Sequence, residues 1–284
     1  MSGILYVVGT PIGNLGDMSP RAVETLEAVD FIAAEDTRVT LKLLNHFGIK
    51  KHMISYFEHN KYERGEIICQ RIISGENCAV VTDAGMPCIS DPGELLVKQC
   101  REYGIKVSAV PGASAVITAL AVSGLPTGRF TFEGFLSVNK KSRREHLNEV
   151  KNEKRTMIFY EAPHKLNATL RDMLEAFGNR NIAIVRELTK IHEEVIKTTL
   201  EKAAAEYAEN PLKGEIVLII EGAGDNAEKE EYTLDEAVEM AVRMSEEDNI
   251  SLSEAAKRTA KLTGIKRGLI YKNTVERDDN NEVQ

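Results

Sequence analysis

Three short loops rich in glycine and proline each follow directly after a run of apolar residues. They are residues 9–14 (GTPIGN), residues 82–87 (TDAGMP) and residues 111–115 (PGASA). Residues with little or no side chain let the backbone approach a bound molecule closely. In an open parallel sheet, ligands bind at the carboxyl ends of the strands, which is where such loops lie. The three loops therefore indicate that the first half of the chain holds a ligand.

A dinucleotide is the first ligand to consider, because Gly9 and Gly13 follow the first apolar run while Glu35 and Asp36 end the second. The glycine spacing is Gly-x-x-x-Gly, however, and a dinucleotide fingerprint needs a glycine where Pro11 stands. Proline supplies no N–H group and blocks a close approach. NAD is therefore disfavoured.

Two polar motifs further along the chain carry side chains that could move a proton or hold a charge. They are residues 161–164 (EAPH) and residues 186–190 (RELTK), each beside the end of a predicted strand. Glu161 and Lys190 are the candidate catalytic residues in them. The sequence shows no Ser-His-Asp arrangement and no cluster with metal-ligand spacing, so we predict no metal site.

Alternating strand and helix signals indicate the elements that position these groups. Short apolar runs predict strands at residues 4–8, 31–34, 78–81 and 106–110. Capping residues and helical spacing predict helices between them, one of which begins at Ser19 and Pro20. A parallel sheet with crossover helices is the economical α/β architecture for this alternation.

The pattern changes after residue 124 and divides the chain. The predicted divisions are an N-terminal α/β domain (1–124), a second α/β domain (125–222), an acidic linker (223–232), a helical C-terminal module (233–275) and a disordered tail (276–284). Within the module, residues 253–262 and 266–273 flank a short turn with helix-turn-helix spacing. A small packing appendage is the alternative for this module.

Charge is distributed unevenly along the chain. The 36 Lys and Arg against 44 Asp and Glu give a net charge of −8, which argues against nonspecific binding to nucleic acid. Residues 139–155 and 253–273 are nevertheless basic. Such runs usually form a solvated face, but they leave room for a specific polyanion site. The candidate phosphate contacts are Arg38, Arg143, Arg144, Arg186, Lys266 and Arg267.

Membrane insertion and secretion are not indicated. The apolar runs fall far short of the roughly 20 residues that span a bilayer. The first residues lack the basic region of a signal peptide. We therefore expect a cytoplasmic protein with no membrane partner.

Six motifs resemble, in order, those of the tetrapyrrole-methylase-like class of S-adenosylmethionine enzymes. They are residues 9–16 (GTPIGNLG), 34–38 (AEDTR), 82–93 (TDAGMPCISDPG), 110–115 (VPGASA), 161–164 (EAPH) and 186–190 (RELTK). Within this class they are most similar to the branch that methylates the 2′-hydroxyl of a cytidine in small-subunit (16S) ribosomal RNA. Met86 and Lys165 depart from the usual pattern, which has a small polar residue and an arginine there.

The resemblance implies two α/β domains of the tetrapyrrole methylase type with S-adenosylmethionine in the cleft between them. It also implies a homodimer and, as partner, small ribosomal subunit RNA, methylated at the decoding centre. The cofactor contacts that it implies are Pro11, Asp83, Ala84, Gly85, Met86, Ser114, Ala115, Leu188 and Glu215. Helix or turn capping is the alternative role for Asp83 and Ser114.

Two other functions remain open from the sequence. A methylase of a small corrin or tetrapyrrole macrocycle shares the fold, and a fold does not fix a function. The basic C-terminal module favours RNA, because a macrocyclic substrate has no need of it. A ligand-sensing DNA-binding regulator would use the helix-turn-helix-like module, but more than 200 residues of α/β structure would form an unusually large sensor.

Overall fold

The computed structural model describes residues 2–210, 212–224, 233–248 and 250–281. The chain divides into two compact units, residues 1–223 and residues 224–284. The predicted acidic linker lies outside the described residues from 225 to 232, as does the end of the predicted tail from 282 to 284.

A parallel sheet built from the predicted strands opens the first unit. It contains β1 (Ile4–Val8), β2 (Phe31–Ala34), β3 (His52–Ser55), β4 (Cys78–Val81) and β5 (Lys106–Val110). The order is β3-β2-β4-β1-β5, and every neighbouring pair is parallel, as predicted. The sequence does not reveal β3, because this edge strand is partly exposed and lacks the apolar run of the others.

Helices cross between these strands. They are α1 (Pro20–Ala28), α2 (Thr37–His46), α3 (Lys61–Ile73), α4 (Gly93–Glu102) and α5 (Ala115–Ser123). Ser19 caps α1 by accepting a hydrogen bond from the Ala22 N–H, and Pro20 occupies the first position, as the sequence predicts. Gly124 ends α5 in the left-handed conformation, with a φ of 67°.

The second sheet is mixed. Its strands are β6 (Phe130–Phe135), β7 (Thr156–Glu161), β8 (Asn181–Arg186), β9 (Glu194–Thr199) and β10 (Ile216–Ile220), in the order β6-β7-β10-β8-β9. Only β6 and β7 are parallel within this described sheet. The accompanying helices are α6 (Lys140–Glu149), α7 (Leu166–Phe177) and α8 (Leu200–Glu206).

Helix α6 forms in the basic segment, for which the sequence predicts no element. Asn139 caps it by accepting hydrogen bonds from the N–H groups of Lys141 and Ser142. Its polar composition hides the helical period, since only Arg143 and Leu147 are buried. Capping and tertiary packing, rather than an apolar stripe, therefore define this helix.

Helix α5 joins the two sheets. Val116, Ala119 and Leu120 on α5 belong to the same buried cluster as residues of β7, β8 and β10. The helix therefore covers a face of the second sheet, although the sequence places it in the first domain. Ile12, from the loop after β1, belongs to this cluster too. Loops of the first sheet and strands of the second are thus held against one core.

The C-terminal unit contains three helices in its described part. They are α9 (Leu234–Glu247), α10 (Leu252–Thr263) and α11 (Arg267–Asn281). Gly264 ends α10 with a φ of 74°, so a short turn separates α10 from α11, in agreement with the helix-turn-helix spacing. The backbone is helical to Asn281, in a segment for which the sequence predicts disorder.

No helix within the described ranges is both long and apolar enough to cross a bilayer.

The loops after β1, β4 and β5 are locked together by their backbones. Thr10 and Gly85 exchange two backbone hydrogen bonds, 3.0 and 3.2 Å long, and the Gly9 N–H donates to the Val110 carbonyl at 3.1 Å. A Cβ placed on Gly112 would lie 2.8 Å from the Cα of Gly9. The loops can therefore meet only because neither residue has a side chain.

We expect Gly112→Ala to lower the free energy of unfolding by about 1–3 kcal/mol, because the added methyl meets backbone that cannot move aside. Gly128→Ala is the matched control, since a Cβ there has no neighbour within 4 Å. It should change the unfolding free energy by less than about 0.5 kcal/mol. Urea denaturation of both variants measures the difference, and equal stabilities would contradict the packing described here.

Candidate active site

A cleft opens where the loops after β4 and β5 meet the second sheet, and we name it the α5 cleft. It contains about 420 Å³ of empty volume, part of which is open to solvent. The residues lining it are Ile12, Thr82, Ala84, Gly85, Met86, Ile89, Ser90, Asp91, Ser114, Ala115 and Tyr160. Five of the predicted cofactor contacts, Ala84, Gly85, Met86, Ser114 and Ala115, are thus brought together.

Pro11 and Asp83 line a neighbouring depression, which we name the α2 cleft. It lies between the loop after β1 and helix α2, with Thr40, Lys42 and Leu43 on the helix side. Thr82 lines both clefts and forms their common wall. The predicted cofactor contacts of the first sheet therefore flank one residue at the end of β4.

Ser114 stands at the N-cap position of α5, yet its side chain makes no capping hydrogen bond. Its carbonyl accepts the Thr118 N–H, but its hydroxyl accepts no N–H group from the first turn of the helix. The capping alternative therefore fails for Ser114. Its hydroxyl remains available at the amino end of a helix, where the backbone dipole favours negative groups.

Asp83 links two loops rather than capping its own turn. Its Oδ1 accepts the Asp36 N–H at 3.1 Å. Burial, and then the neighbouring Glu35 carboxylate, raises the pKa of Asp83. By contrast, hydrogen bonds from Arg38 lower the pKa of Asp36 to about 2. Charge repulsion at this corner would be relieved by a ligand that donates hydrogen bonds, such as a ribose hydroxyl or an ammonium group.

Asp91 shapes the far side of the α5 cleft. Its carboxylate accepts N–H groups from Cys88 at 2.7 Å and from Gly93 at 2.9 Å. These bonds hold Cys88 at a φ of 70°, a conformation that a non-glycine residue adopts only when its surroundings impose it. Burial raises the pKa of the Cys88 thiol to about 12, so the group stays protonated and is a poor nucleophile.

Lys190 lines neither cleft itself but lies against Gly13, which lines the α2 cleft, and it is held by two carboxylates. Its Nζ is 2.9 Å from Glu187 Oε1 and 3.1 Å from Glu215 Oε2. Its stem crosses Gly13, because a Cβ placed there would lie 2.6 Å from Lys190 Cγ. Burial opposes the charge, but these hydrogen bonds outweigh it and raise the pKa of Lys190. The side chain is therefore a fixed cation near neutral pH and not a general base.

The backbone around Lys190 is strained. Glu187 and Thr189 have φ values of 51° and 66°, which are unusual for residues with a Cβ. The enclosed Thr189 hydroxyl oxygen has no hydrogen-bond partner in the part of the chain that the structure describes. Strain of this kind persists mainly at functional sites, which supports a role for the RELTK motif.

Glu161 sits in a different environment. It is only 4% exposed, and its carboxylate accepts hydrogen bonds from the Thr169 hydroxyl and the Ala162 N–H. These bonds tie the end of β7 to α7. Because its carboxylate is enclosed and already accepts both of these bonds, the structure favours a positioning role for Glu161 over direct catalysis.

Leu188 and Glu215 also lie outside the residues that line the two clefts. Leu188 is 7% exposed and packs in the cluster that contains Ile12. Glu215 is exposed and pairs with Lys190. Their links to the site run through these two neighbours.

Two of the predicted phosphate contacts are engaged inside the protein. Arg143 is 9% exposed and pairs with Asp172, with 2.6 Å between Nη2 and Oδ2. Arg144 contacts Asp172 at 3.0 Å and also pairs with Glu175. Burial opposes ionisation of Asp172, but the two arginines outweigh it and lower its pKa. The prediction is therefore corrected for Arg143: it attaches α6 to α7 instead of facing RNA.

The remaining predicted contacts differ in accessibility. Arg38 is 87% exposed at the side chain, although it pairs with Asp36. Arg186 is held by Glu194 and by the Lys213 carbonyl. Lys266 and Arg267 are exposed at the start of α11, where Arg267 donates to the Ser253 hydroxyl. Within α6, the exposed cations are Lys140 and Lys141, which the sequence did not single out.

Sequence reasoning also missed Tyr160, Asp91 and Ile12 in the α5 cleft. Asp91 and Ile12 stand inside motifs quoted for the resemblance, so their motif membership was an available signal. Tyr160 has only its position directly before the EAPH motif. No group of three or more His, Cys, Asp or Glu side chains among the described residues is arranged to hold a metal ion.

The fold has two five-stranded sheets with accompanying helices, and a cleft lies at the carboxyl ends of strands of the first sheet. The family model described as tetrapyrrole (corrin/porphyrin) methylases matches residues 4–204. The chain belongs to this methylase family.

Curated relatives resemble most or nearly all of the chain. This chain is 47% identical over 275 residues to "Ribosomal RNA small subunit methyltransferase I" of Synechocystis sp., and the alignment covers 96% of this chain and 98% of the relative. It is 53% identical over 229 residues to the protein of the same name from Halalkalibacterium halodurans, covering 81% and 79%.

A solved structure shares the fold at lower identity. Uroporphyrin-III C-methyltransferase from Thermus thermophilus, complexed with S-adenyl homocysteine, superposes with a TM-score of 0.53 at 17% identity. The alignment covers 77% of this chain and 97% of that one.

We expect Arg143→Ala to lower the free energy of unfolding by about 3 kcal/mol, because it leaves the buried Asp172 carboxylate with one partner fewer. Lys141→Ala, on the exposed face of the same helix, should change it by less than about 0.5 kcal/mol. Denaturant titrations at pH 7 test the pair. Similar effects from both variants would show that Arg143 is not the internal anchor.

The same network should make stability depend on pH. Because the pKa of Asp172 is lower in the folded protein, its stabilisation is complete above the ordinary value of about 3.9 and disappears as the pH falls through the folded value. The stability difference between wild type and Asp172→Asn should therefore shrink over that acidic range. A constant difference would rule out this linkage.

Proposed function

We propose that this protein is an S-adenosylmethionine-dependent methyltransferase that methylates the ribose 2′-hydroxyl of a cytidine in small-subunit (16S) ribosomal RNA, at the decoding centre. The observation that carries the proposal is 47% identity, over 96% of the chain, to a relative named as a small-subunit ribosomal RNA methyltransferase.

The residues that line the α5 cleft support this choice of cofactor. Small residues at Ala84, Gly85 and Ala115 leave backbone groups accessible, and the Ser114 hydroxyl has no capping role. Ile12, Met86 and Tyr160 supply apolar walls for a nucleoside. When bound, S-adenosylmethionine supplies a methyl group already activated by its sulfonium. The protein therefore has mainly to align donor and acceptor and to exclude water.

Pro11 and Asp83 are the cofactor contacts proposed in the α2 cleft, which shares Thr82 with the α5 cleft. The Asp83 carboxylate accepts hydrogen bonds and suits ribose hydroxyls or an amino group. Leu188 and Glu215 act indirectly in this proposal, since Leu188 packs in the Ile12 cluster and Glu215 holds Lys190.

Lys190 is the stronger of the two catalytic candidates. A ribose 2′-hydroxyl is a weak nucleophile, and its oxygen gains negative character as the hydroxyl proton passes to solvent. The ammonium group of Lys190 is fixed by Glu187 and Glu215, and a preorganised charge of this kind stabilises developing negative charge. Glu161 then positions the end of β7.

RNA contacts fall on exposed cations. Arg38, Lys140 and Lys141 in the first unit, and Lys266 and Arg267 in the C-terminal unit, can reach phosphates because their side chains face solvent. Arg144 and Arg186 contribute less, since both are paired internally. We also propose that the protein is cytoplasmic and forms a homodimer. Light scattering tests the homodimer by measuring the molar mass in solution.

A macrocycle methylase is the second candidate, because the family includes such enzymes by description and the fold of one superposes on this chain. At 17% identity, that likeness shows the fold alone.

The deciding experiment is transfer of labelled methyl from S-adenosylmethionine to small ribosomal subunits from a strain lacking this gene. A tetrapyrrole precursor is assayed in parallel, and the labelled RNA is digested to locate the methyl. Label on a cytidine ribose supports the proposal. Label only on the macrocycle would replace the substrate, and label on neither would reject both.

In that assay we expect Lys190→Ala to lower kcat about 100-fold, as loss of one preorganised donor does elsewhere. Lys190→Arg should retain more activity because it keeps the charge. Affinity for S-adenosylhomocysteine, measured by calorimetry, should be unchanged in both variants. If kcat stays at the wild-type level in Lys190→Ala, the assigned role is wrong.

Ser114→Ala and Ser19→Ala form a matched pair, because both serines stand at helix N-caps and only Ser19 makes the capping bond. Ser114→Ala should weaken S-adenosylhomocysteine binding about 3- to 10-fold, the value of one neutral hydrogen bond, at unchanged stability. Ser19→Ala should cost about 1 kcal/mol of unfolding free energy and leave binding intact. The reverse pattern would remove Ser114 from the cofactor site.

A further inference from the structure

Tyr160 lines the α5 cleft, and burial raises its pKa. Its ring packs against Phe132 with centroids 4.9 Å apart and against Phe135 with centroids 5.2 Å apart. The three rings therefore form an aromatic row that begins at the cleft wall, and we name it the Phe132–Tyr160–Phe135 row.

A β-bulge places Phe135 in this row. The register of β6 against β7 shifts between Phe132 and Gly134, so that Phe135 pairs with Tyr160. Without the extra residue, alternation would set Gly134 opposite Tyr160 and turn Phe135 to the other face of the sheet. Gly134 permits the bulge through a φ of 67°.

Glu133 and Leu136, which flank this part of the chain, make their contacts with α6 and the core. The Glu133 carboxylate lies 3.1 Å from His146 Nε2 on α6, and Leu136 is 3% exposed in the core beneath that helix. Phe135 lies between Glu133 and Leu136 in the sequence, and its side chain is 57% exposed. Backbone geometry and internal packing thus hold a large apolar ring in solvent. It lies against Tyr160, which lines the cleft, and a short connection separates it from the exposed Lys140 and Lys141.

We infer that Phe135 is a stacking platform for a nucleobase of the RNA substrate. Single-stranded RNA is recognised by stacking unpaired bases on aromatic side chains, while nearby cations hold phosphates. Tyr160 and Phe132 support the ring from behind, and the α5 cleft borders Tyr160. A base stacked on Phe135 is thereby presented at the edge of the proposed cofactor site. This inference rests on the proposed function and adds how that site selects a nucleotide.

The test compares Phe135→Leu with Phe135→Tyr. Leucine keeps an apolar side chain but has no aromatic face, whereas tyrosine keeps the face. With small subunits as substrate, Phe135→Leu should lower kcat/KM about 5- to 150-fold, the range expected for loss of one base–aromatic stack. Phe135→Tyr should remain within about 2-fold of wild type. Val138→Ala, an apolar side chain 73% exposed in the same connection, should leave kcat/KM unchanged.

Three further readouts distinguish the alternatives. S-adenosylhomocysteine affinity and thermal stability should be the same in wild type and both Phe135 variants. Wild-type activity in Phe135→Leu would overturn the platform, as would a changed molar mass in light scattering, which would place Phe135 between copies of the chain. Failure of the wild-type protein to methylate the subunits would instead reject the proposed function itself.

Discussion

The candidate site depends on the backbone contact among the loops after β1, β4 and β5. Thr10 and Gly85 bond to each other as two strands would, and Gly9 touches Gly112 with no side chain between them. The loops therefore cannot be adjusted independently, because any added atom would meet main chain. This rigidity gives a cleft lined by backbone groups a defined shape, which a ligand bound largely through such groups requires.

Helix α5 extends that constraint to the second sheet. Its apolar side chains bury against β7, β8 and β10, while Ser114 at its amino end lines the same cleft as Tyr160 of β7. The linear order of the chain suggests that α5 completes the first domain, but its packing fastens the two sheets together. Ile12 does the same from the loop after β1. Polar groups at the end of β8 consequently reach the glycine-rich loops, as the contact of Lys190 with Gly13 shows.

The sequence predicts most of this framework because its signals are local. Apolar runs locate β1, β2, β4 and β5, and Ser19 with Pro20 locates the start of α1. Roles that depend on tertiary partners could not be predicted. Arg143 and Lys141 lie two positions apart in one basic segment, yet Asp172 and α7 bury the first and leave the second exposed. From the sequence, Glu161 is interpreted as a catalytic carboxylate. In the structure that carboxylate accepts a hydrogen bond from the Thr169 hydroxyl, eight residues later in the chain.

The structure also suggests how one fold serves different substrates. The proposed cofactor contacts lie mainly on loops of the first sheet, which are fixed by mutual backbone contact and tolerate little change. Phe135 lies on an edge strand of the second sheet, paired on one side only, where a bulge can be gained or lost without disturbing the loops. Substrate recognition can therefore change at this edge while the methyl donor site stays constant. Such a separation is compatible with an RNA substrate for a chain whose fold resembles that of a uroporphyrin methylase, because a fold does not fix a function.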